Sequence, residues 1–378
     1  MTADLTSSIL RLVRPDILAM IGYEPIEPAD VLAERLGIPE GDVAKLDGNE
    51  NPYGPPARVY ETLGKLDTYN RYPDPSQRAL RAALSEYVGV PPEHIVAGHG
   101  SDEIIDLLLR ALLAPGEAAI DCPPTFGMYA FSTRVAGGRV IDVPRIDDHS
   151  LPPRASFSLD IDGIRAAAPG AKVISIASPN NPTGNLLARA ELDALLATEL
   201  LVVVDEAYVE FAGESYVTLV PEHENLVVLR TFSKWAGLAG LRAGYGILPR
   251  PLADVLMHIK QPYTPNVAAE AAMLIALEGR GEQMKTVQAL VGERERLAKA
   301  LRQLEWLRVY PSEANFLLCR VSGMEGRELK ERLAKRGLFV RYFDTPLLQD
   351  CIRISVGLPE QTDRVIDALT NIGGDRGS

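Results

Sequence analysis

The sequence predicts an α/β protein, with a large domain built on a mainly parallel sheet and a smaller α+β domain after it. Three observations carry that expectation. Val173–Ala177, Leu200–Val204 and Leu226–Leu229 are compact apolar runs, too short for helices and too continuously apolar for a sheet with one wet face. Helical patterns separate such runs between residues 80 and 250, the alternation expected of parallel strands joined by crossover helices. Beyond the proline-rich stretch Pro249–Pro265 the texture changes.

Taken in order, residues 80–88 read as a helix and Ile95–Ala97 as a strand. Ser101–Leu113 reads as a helix with apolar residues at 104, 105, 108 and 112, one face of a 3.6-residue period. Short apolar runs follow at 118–120 and 139–143, then the three strands named above. A long helical pattern covers 266–304. Strands are expected at 315–321, 338–342 and 351–356, and helices near 326–336 and 360–371. The divisions are 1–45, an N-terminal arm with part of the small domain; 46–265, the large domain; and 266–378, the small domain. Residues 373–378 read as a frayed tail.

The chain has 378 residues, of which 46% are hydrophobic and 24% charged, the balance of a globular protein with a sizeable core. A net charge of −12 argues against a general nucleic-acid binder, which needs clustered Lys and Arg. The three cysteines, Cys122, Cys319 and Cys351, are odd in number and lack CxxC spacing. They read as small buried hydrophobes in a reducing cytoplasm. The five histidines, His149 among them, have no metal-ligand spacing, so no metal is expected. The apolar stretch from Ile9 to Ile21 is broken by Arg11, Arg14, Pro15 and Asp16, unlike a signal peptide. No apolar run is long enough to span a membrane, and no membrane partner is expected.

Four segments combine polar groups with strand ends. Thr231-Phe232-Ser233-Lys234 leads into Gly237, Gly240, Arg242 and Gly244. Ser233 and Arg242 suit a phosphate, and a lysine beside it, with its pKa depressed, can form a Schiff base; a lone lysine there would read as part of a solvated loop. Asp205-Glu206-Ala207-Tyr208 follows a strand, where Asp205 either caps a turn or holds a pyridinium N–H, with Tyr208 reaching a ring oxygen. Ser178-Pro179-Asn180-Asn181-Pro182-Thr183-Gly184 is turn chemistry, yet it puts Asn181 at the same sheet edge. Gly98-His99-Gly100-Ser101-Asp102-Glu103 is a strand-to-helix turn, serving either helix initiation or anion binding. Arg353, in an otherwise apolar strand, either faces solvent, as period-2 alternation favours, or grips a carboxylate or phosphate. Arg341 is a weaker candidate of the same kind.

In this order and spacing, SPNNPTG, DEAY, SK and RISVG resemble the fold-type I aminotransferases, which use pyridoxal 5′-phosphate (PLP); the likeness spans residues 45–357. Asn49–Gly54, Asn70–Asp74 and Cys122–Tyr129 resemble the histidinol-phosphate aminotransferase branch. The resemblance implies the PLP-dependent transferase fold. It implies that Lys234 holds PLP covalently and moves the substrate proton, and that Asp205 pairs with the ring nitrogen. Asn181 and Tyr208 would bind the ring oxygen, Phe126 would stack on the ring, and Ser101, Asp102, Ser233 and Arg242 would surround the phosphate. Tyr72 would reach the neighbouring subunit's cofactor, implying a homodimer with shared sites. Arg353, with Arg341 and Tyr23, would take the anionic ends of the small-molecule substrates, histidinol phosphate and glutamate or 2-oxoglutarate, and Asn181 would contact the substrate as well. Phe126 departs from the tyrosine common at that position, but stacking needs only the ring. An aromatic amino-acid aminotransferase, a phospho-amino-acid decarboxylase and a non-catalytic regulator on the same fold are the alternatives left open.

Overall fold

A computed structural model describes residues 8–23, 25–147 and 156–374. His149 and the last four residues of the expected tail lie outside them; Gly373 and Gly374 end the helix Pro359–Gly374.

The first strand, β1 (Ala44–Leu46), belongs to the smaller sheet. The larger sheet contains β2 (Ile95–His99), β3 (Ala118–Asp121), β4 (Arg139–Asp142), β5 (Val173–Ala177), β6 (Leu201–Asp205), β7 (Leu226–Thr231) and β8 (Ala243–Ile247), in the order β2-β8-β7-β6-β5-β3-β4. Ladders among β4, β3, β5, β6 and β7 are parallel, and those of β8 with β7 and β2 are antiparallel. The three strands that anchor the sequence reading, β5, β6 and β7, lie centrally and are almost wholly buried, as continuous apolar runs require.

β8 is absent from the sequence reading because its two glycines, Gly244 and Gly246, weaken any strand signal. Gly244 has a steric reason. A Cβ there would lie 2.4 Å from the Ser101 nitrogen and 2.5 Å from the Gly100 carbonyl carbon, so only glycine lets β8 pass under the start of the helix Gly100–Leu112. The proline-rich stretch holds another unanticipated element, the helix Arg250–Ile259. Pro251 sits in its first turn, where the missing N–H costs nothing.

The smaller sheet adds β9 (Leu307–Val309), β10 (Phe316–Val321), β11 (Leu338–Tyr342) and β12 (Cys351–Ser355), ordered β1-β11-β12-β10-β9. β1 pairs in parallel with β11. The N-terminal segment therefore starts on the smaller sheet, and residues 47–54 cross from it to the larger one. The helical pattern expected over 266–304 divides at Gly279 into Val267–Glu278 and Arg280–Leu301. Ala272, Met273, Val287 and Leu290 join the core of the larger sheet, whereas Leu297, Ala298 and Leu301 join that of the smaller. Arg280–Leu301 thus packs against both sheets.

The cysteines are buried and form no disulfide. Among the described residues no helix is long and apolar enough to cross a membrane, and no group of side chains has the make-up of a metal site.

Gly244→Ala tests the close approach of β8 to the helix start. The clash is with backbone, which cannot swing aside, so we expect a loss of about 1–3 kcal/mol in stability, read as a lowered thermal midpoint.

Candidate active site

The polar groups converge where the central strands end. β2 leads through Gly100, at φ +77°, into the helix Gly100–Leu112, whose first N–H groups lack partners within the helix. Glu103 fastens this turn: its Oε2 accepts the His99 N–H at 2.6 Å, and its Oε1 accepts the Thr264 hydroxyl at 3.1 Å. A Cβ on Gly100 would come within 2.8 Å of the Arg242 guanidinium, so the glycine opens the space that Arg242 fills. Arg242 pairs with Asp102 at 2.8 Å. Across the β7–β8 ladder Thr231 faces Gly244, and the Thr231 hydroxyl lies 2.9 Å from that of Ser233. Ser101, Asp102, Ser233 and Arg242 thus surround one cup at a helix start, suited to an anion.

Asp205 closes β6 and is 3% exposed. Its Oδ2 accepts the Tyr129 hydroxyl at 2.7 Å and its Oδ1 accepts the Ala207 N–H at 3.1 Å, both neutral donors. Burial pushes its carboxyl up to about 6. Such a carboxylate gains from any buried cation brought against it. Phe126 meets the Tyr129 ring edge-on at 5.5 Å. Tyr208, three residues after Asp205, is buried, and burial raises its phenol.

Lys234 lies 5.8 Å from the centre of the Tyr208 ring, and its Nζ donates to the Gly48 carbonyl at 3.1 Å. Desolvation first, then the positive charge of Arg353, pulls its amine down to about 8. Arg353 does not face solvent. It is 6% exposed, donates to Asn181 Oδ1 at 2.6 Å and to the Asp47 carbonyl, and lies 5.3 Å from the Phe316 ring. β12 has no wet face, so period-2 alternation cannot send Arg353 outward. Asn181, its oxygen taken by Arg353, keeps its N–H₂ for another acceptor. Arg341 is the cross-strand partner of Arg353, and the half-exposed Tyr23 is close enough to perturb both Arg353 and Tyr208.

Lys234, Asp205, Tyr208, Asn181, Arg353 and the four cup residues therefore form one continuous site. Tyr72 is not part of it within one chain: it is 78% exposed and stacks on Tyr263 with ring centres 4.1 Å apart. Tyr129, Asn49 and Ser355 hold site residues yet carried no role in the sequence reading. Tyr129 and Asn49 were visible only as members of longer motifs, and a hydrogen-bond partner 76 or 159 residues away leaves no local signal.

The profile of aminotransferase class I and II matches residues 41–369. A histidinol-phosphate aminotransferase of Roseiflexus castenholzii is 50% identical over 97% of this chain and 99% of its own length. The chain belongs to the class I and II aminotransferases, in their histidinol-phosphate branch. A chloroplastic histidinol-phosphate aminotransferase of Nicotiana plumbaginifolia is 47% identical over 94% of this chain and 86% of its own length. Among solved structures, a histidinol-phosphate aminotransferase of Sinorhizobium meliloti in complex with pyridoxal-5′-phosphate superposes with a TM-score of 0.85. It is 24% identical and covers 96% of this chain and 98% of its own, a likeness of fold that fits the two sheets described above.

The low amine pKa has a direct readout. A lysine reacts only as the neutral amine, and with a pKa near 8 about one-tenth of Lys234 is neutral at pH 7, far more than of an ordinary lysine. Reductive methylation with formaldehyde, followed peptide by peptide, should show Lys234 labelling with a midpoint near pH 8 while exposed lysines follow near their usual value. A Lys234 midpoint at or above 10 would contradict this electrostatic picture.

Proposed function

We propose that this chain is a PLP-dependent aminotransferase that moves an amino group between L-histidinol phosphate and 2-oxoglutarate, giving imidazole-acetol phosphate and glutamate, a step of histidine biosynthesis. The observation that carries the reaction class is the delivery to one sheet edge of the Lys234 amine, drawn down to about 8 by burial and Arg353, and of the buried Asp205 carboxylate, whose hydrogen-bond donors among the described residues are neutral. The substrate is supported by the relatives at 47–50% identity, which bear the histidinol-phosphate name rather than that of an aromatic amino acid.

The residues fit the cofactor. Among the described residues Asp205 has no cationic partner, and it has lone pairs left for a ring N–H; the Asn181 amide and the Tyr208 hydroxyl are donors for a ring oxygen; the cup takes a phosphate. Phe126 supplies a flat apolar ring beside them. When bound, PLP supplies an electron sink for the charge left as the proton leaves the amine-bearing carbon. Asp205 holds the ring nitrogen protonated, which keeps that sink effective. Lys234, neutral in a substantial fraction near neutral pH, takes the proton and returns it one atom away. Arg353, with Arg341 beside it and Tyr23 at the rim, binds the phosphate of one substrate and a carboxylate of the other. Two substrates that take turns in one site give ping-pong kinetics.

The working unit proposed is a homodimer, with Tyr72 reaching the second copy's site. Its exposure supports this, together with its stacking on the likewise exposed Tyr263, since paired aromatic surface calls for cover. The cytoplasm is the compartment proposed, supported by three buried cysteines that form no disulfide.

The test adds glutamate to the PLP-loaded protein and follows its visible absorbance. Glutamate should abolish the band, and imidazole-acetol phosphate should restore it where phenylpyruvate does so poorly. Restoration by phenylpyruvate alone would move the substrate to the aromatic class, and a protein with no visible band would overturn the proposal. Arg353→Leu removes a charge-assisted anion contact, so we expect kcat/KM for histidinol phosphate to fall about 30- to 100-fold in steady-state assays.

A further inference from the structure

Residues Asp47, Gly48 and Asn49, which run from β1 toward the larger sheet, touch three site side chains in succession. The Asp47 carbonyl accepts from Arg353, the Gly48 carbonyl from Lys234, and the Asn49 side chain reaches Tyr208. Asn49 is the unusual member. Its φ of +52° lies in the left-handed region, where glycine is at ease and a side chain is uncommon. It is 1% exposed, and every polar atom of its side chain is used.

The hydrogen bonds around Asn49 form a directed chain. The Ser355 hydroxyl donates to Asn49 Oδ1 at 2.7 Å and accepts the Asn49 backbone N–H at 2.9 Å. Asn315 Nδ2 donates to the Asn49 carbonyl at 3.0 Å, fixing the backbone. With its oxygen committed to Ser355, the carboxamide presents N–H₂ to Tyr208, donating to the phenol oxygen at 2.9 Å. A phenol has a single proton. Once its oxygen accepts from Asn49, that proton is directed elsewhere, and burial keeps the phenol from losing it. Ser355 is two residues from Arg353 on β12, so the chain begins beside the anion-binding arginine and ends at the tyrosine.

We propose that Asn49 is a positioning residue: it turns the Tyr208 hydroxyl proton toward the cofactor's ring oxygen, and Ser355 fixes the amide that does so. This inference rests on the cofactor reading given above. A donor on the ring oxygen favours its negative charge, so it lowers the pH at which the lysine-bound cofactor loses its proton. Asn49 acts on that midpoint only through Tyr208.

The test measures the pH midpoint of the visible absorbance band in PLP-loaded protein, a spectroscopic readout independent of turnover. Asn49→Asp has the same shape but only accepts, so Tyr208 turns its proton back to position 49. We expect the midpoint to rise by about one pH unit, a tenfold change in proton affinity. Tyr208→Phe should raise it similarly, and Asn49→Asp should add little on top of Tyr208→Phe. Ser355→Ala should shift the midpoint the same way by less. If the added charge of Asn49→Asp shifts the midpoint equally with and without the Tyr208 hydroxyl, the proposal is overturned, as it is if the midpoint does not move. Asn49→Gly, which suits the left-handed backbone and adds no charge, repeats the comparison should Asn49→Asp fail to fold. A wild-type protein with no visible band at all would instead overturn the cofactor reading beneath it.

Discussion

Lys234 is held where two unfavourable effects add for an ammonium ion. It is largely withdrawn from water, and the guanidiniums of Arg353 and Arg242 act on it, with Glu50 and Asp102 offsetting them only in part. The result is an amine near pH 8 in a protein of net charge −12, whose average field would favour the opposite. Local geometry outweighs overall charge because low-dielectric contacts at a few ångströms exceed screened ones at the surface. The rest of the site depends on this. An amine that stayed charged could neither bond to a cofactor nor accept a proton.

The fold supplies that environment through two devices. Parallel strands deliver Asp205, the Asn181 turn and Lys234 to one sheet edge, the place where ligands gather in open sheets of this kind. The smaller sheet then brings Arg353 over the same edge, and the segment 47–49 stitches the two together through backbone carbonyls. Gly244 and Gly100 allow the backbone and Arg242 to approach closely enough to complete the cup at the helix start. The buried Arg230–Glu206 pair, 2.9 Å apart, holds the turn that follows Asp205, Glu206 also accepting from Ser215 and from the Tyr216 backbone N–H.

Much of this was legible in the sequence, and the exceptions have physical causes. β5 and β11 were read to the residue, because short apolar runs bounded by turn signals have few alternatives. β8 was missed because glycine, required there by the backbone of Gly100 and Ser101, far earlier in the chain, erases strand propensity. The helix Arg250–Ile259 was hidden by the prolines that start it. Arg353 illustrates a limit of periodicity, since a strand covered on both faces gives no preference between them. Lys234, Asp205 and Arg242 were legible as strand-end chemistry. Asn49 and Tyr129 were not, because a residue that positions another is defined by a contact, and contacts between distant segments exist only in the folded chain.

The central claim is that one lysine, chosen by burial and by neighbouring charge, carries the cofactor. The most direct measurement loads the protein with PLP at neutral pH, reduces it with borohydride, and locates the pyridoxyl group by peptide mass mapping. The account predicts the group on Lys234 and no label above background elsewhere. A pyridoxyl group on Lys45 or Lys260, or one spread over the surface lysines with Lys234 unlabelled, would contradict it.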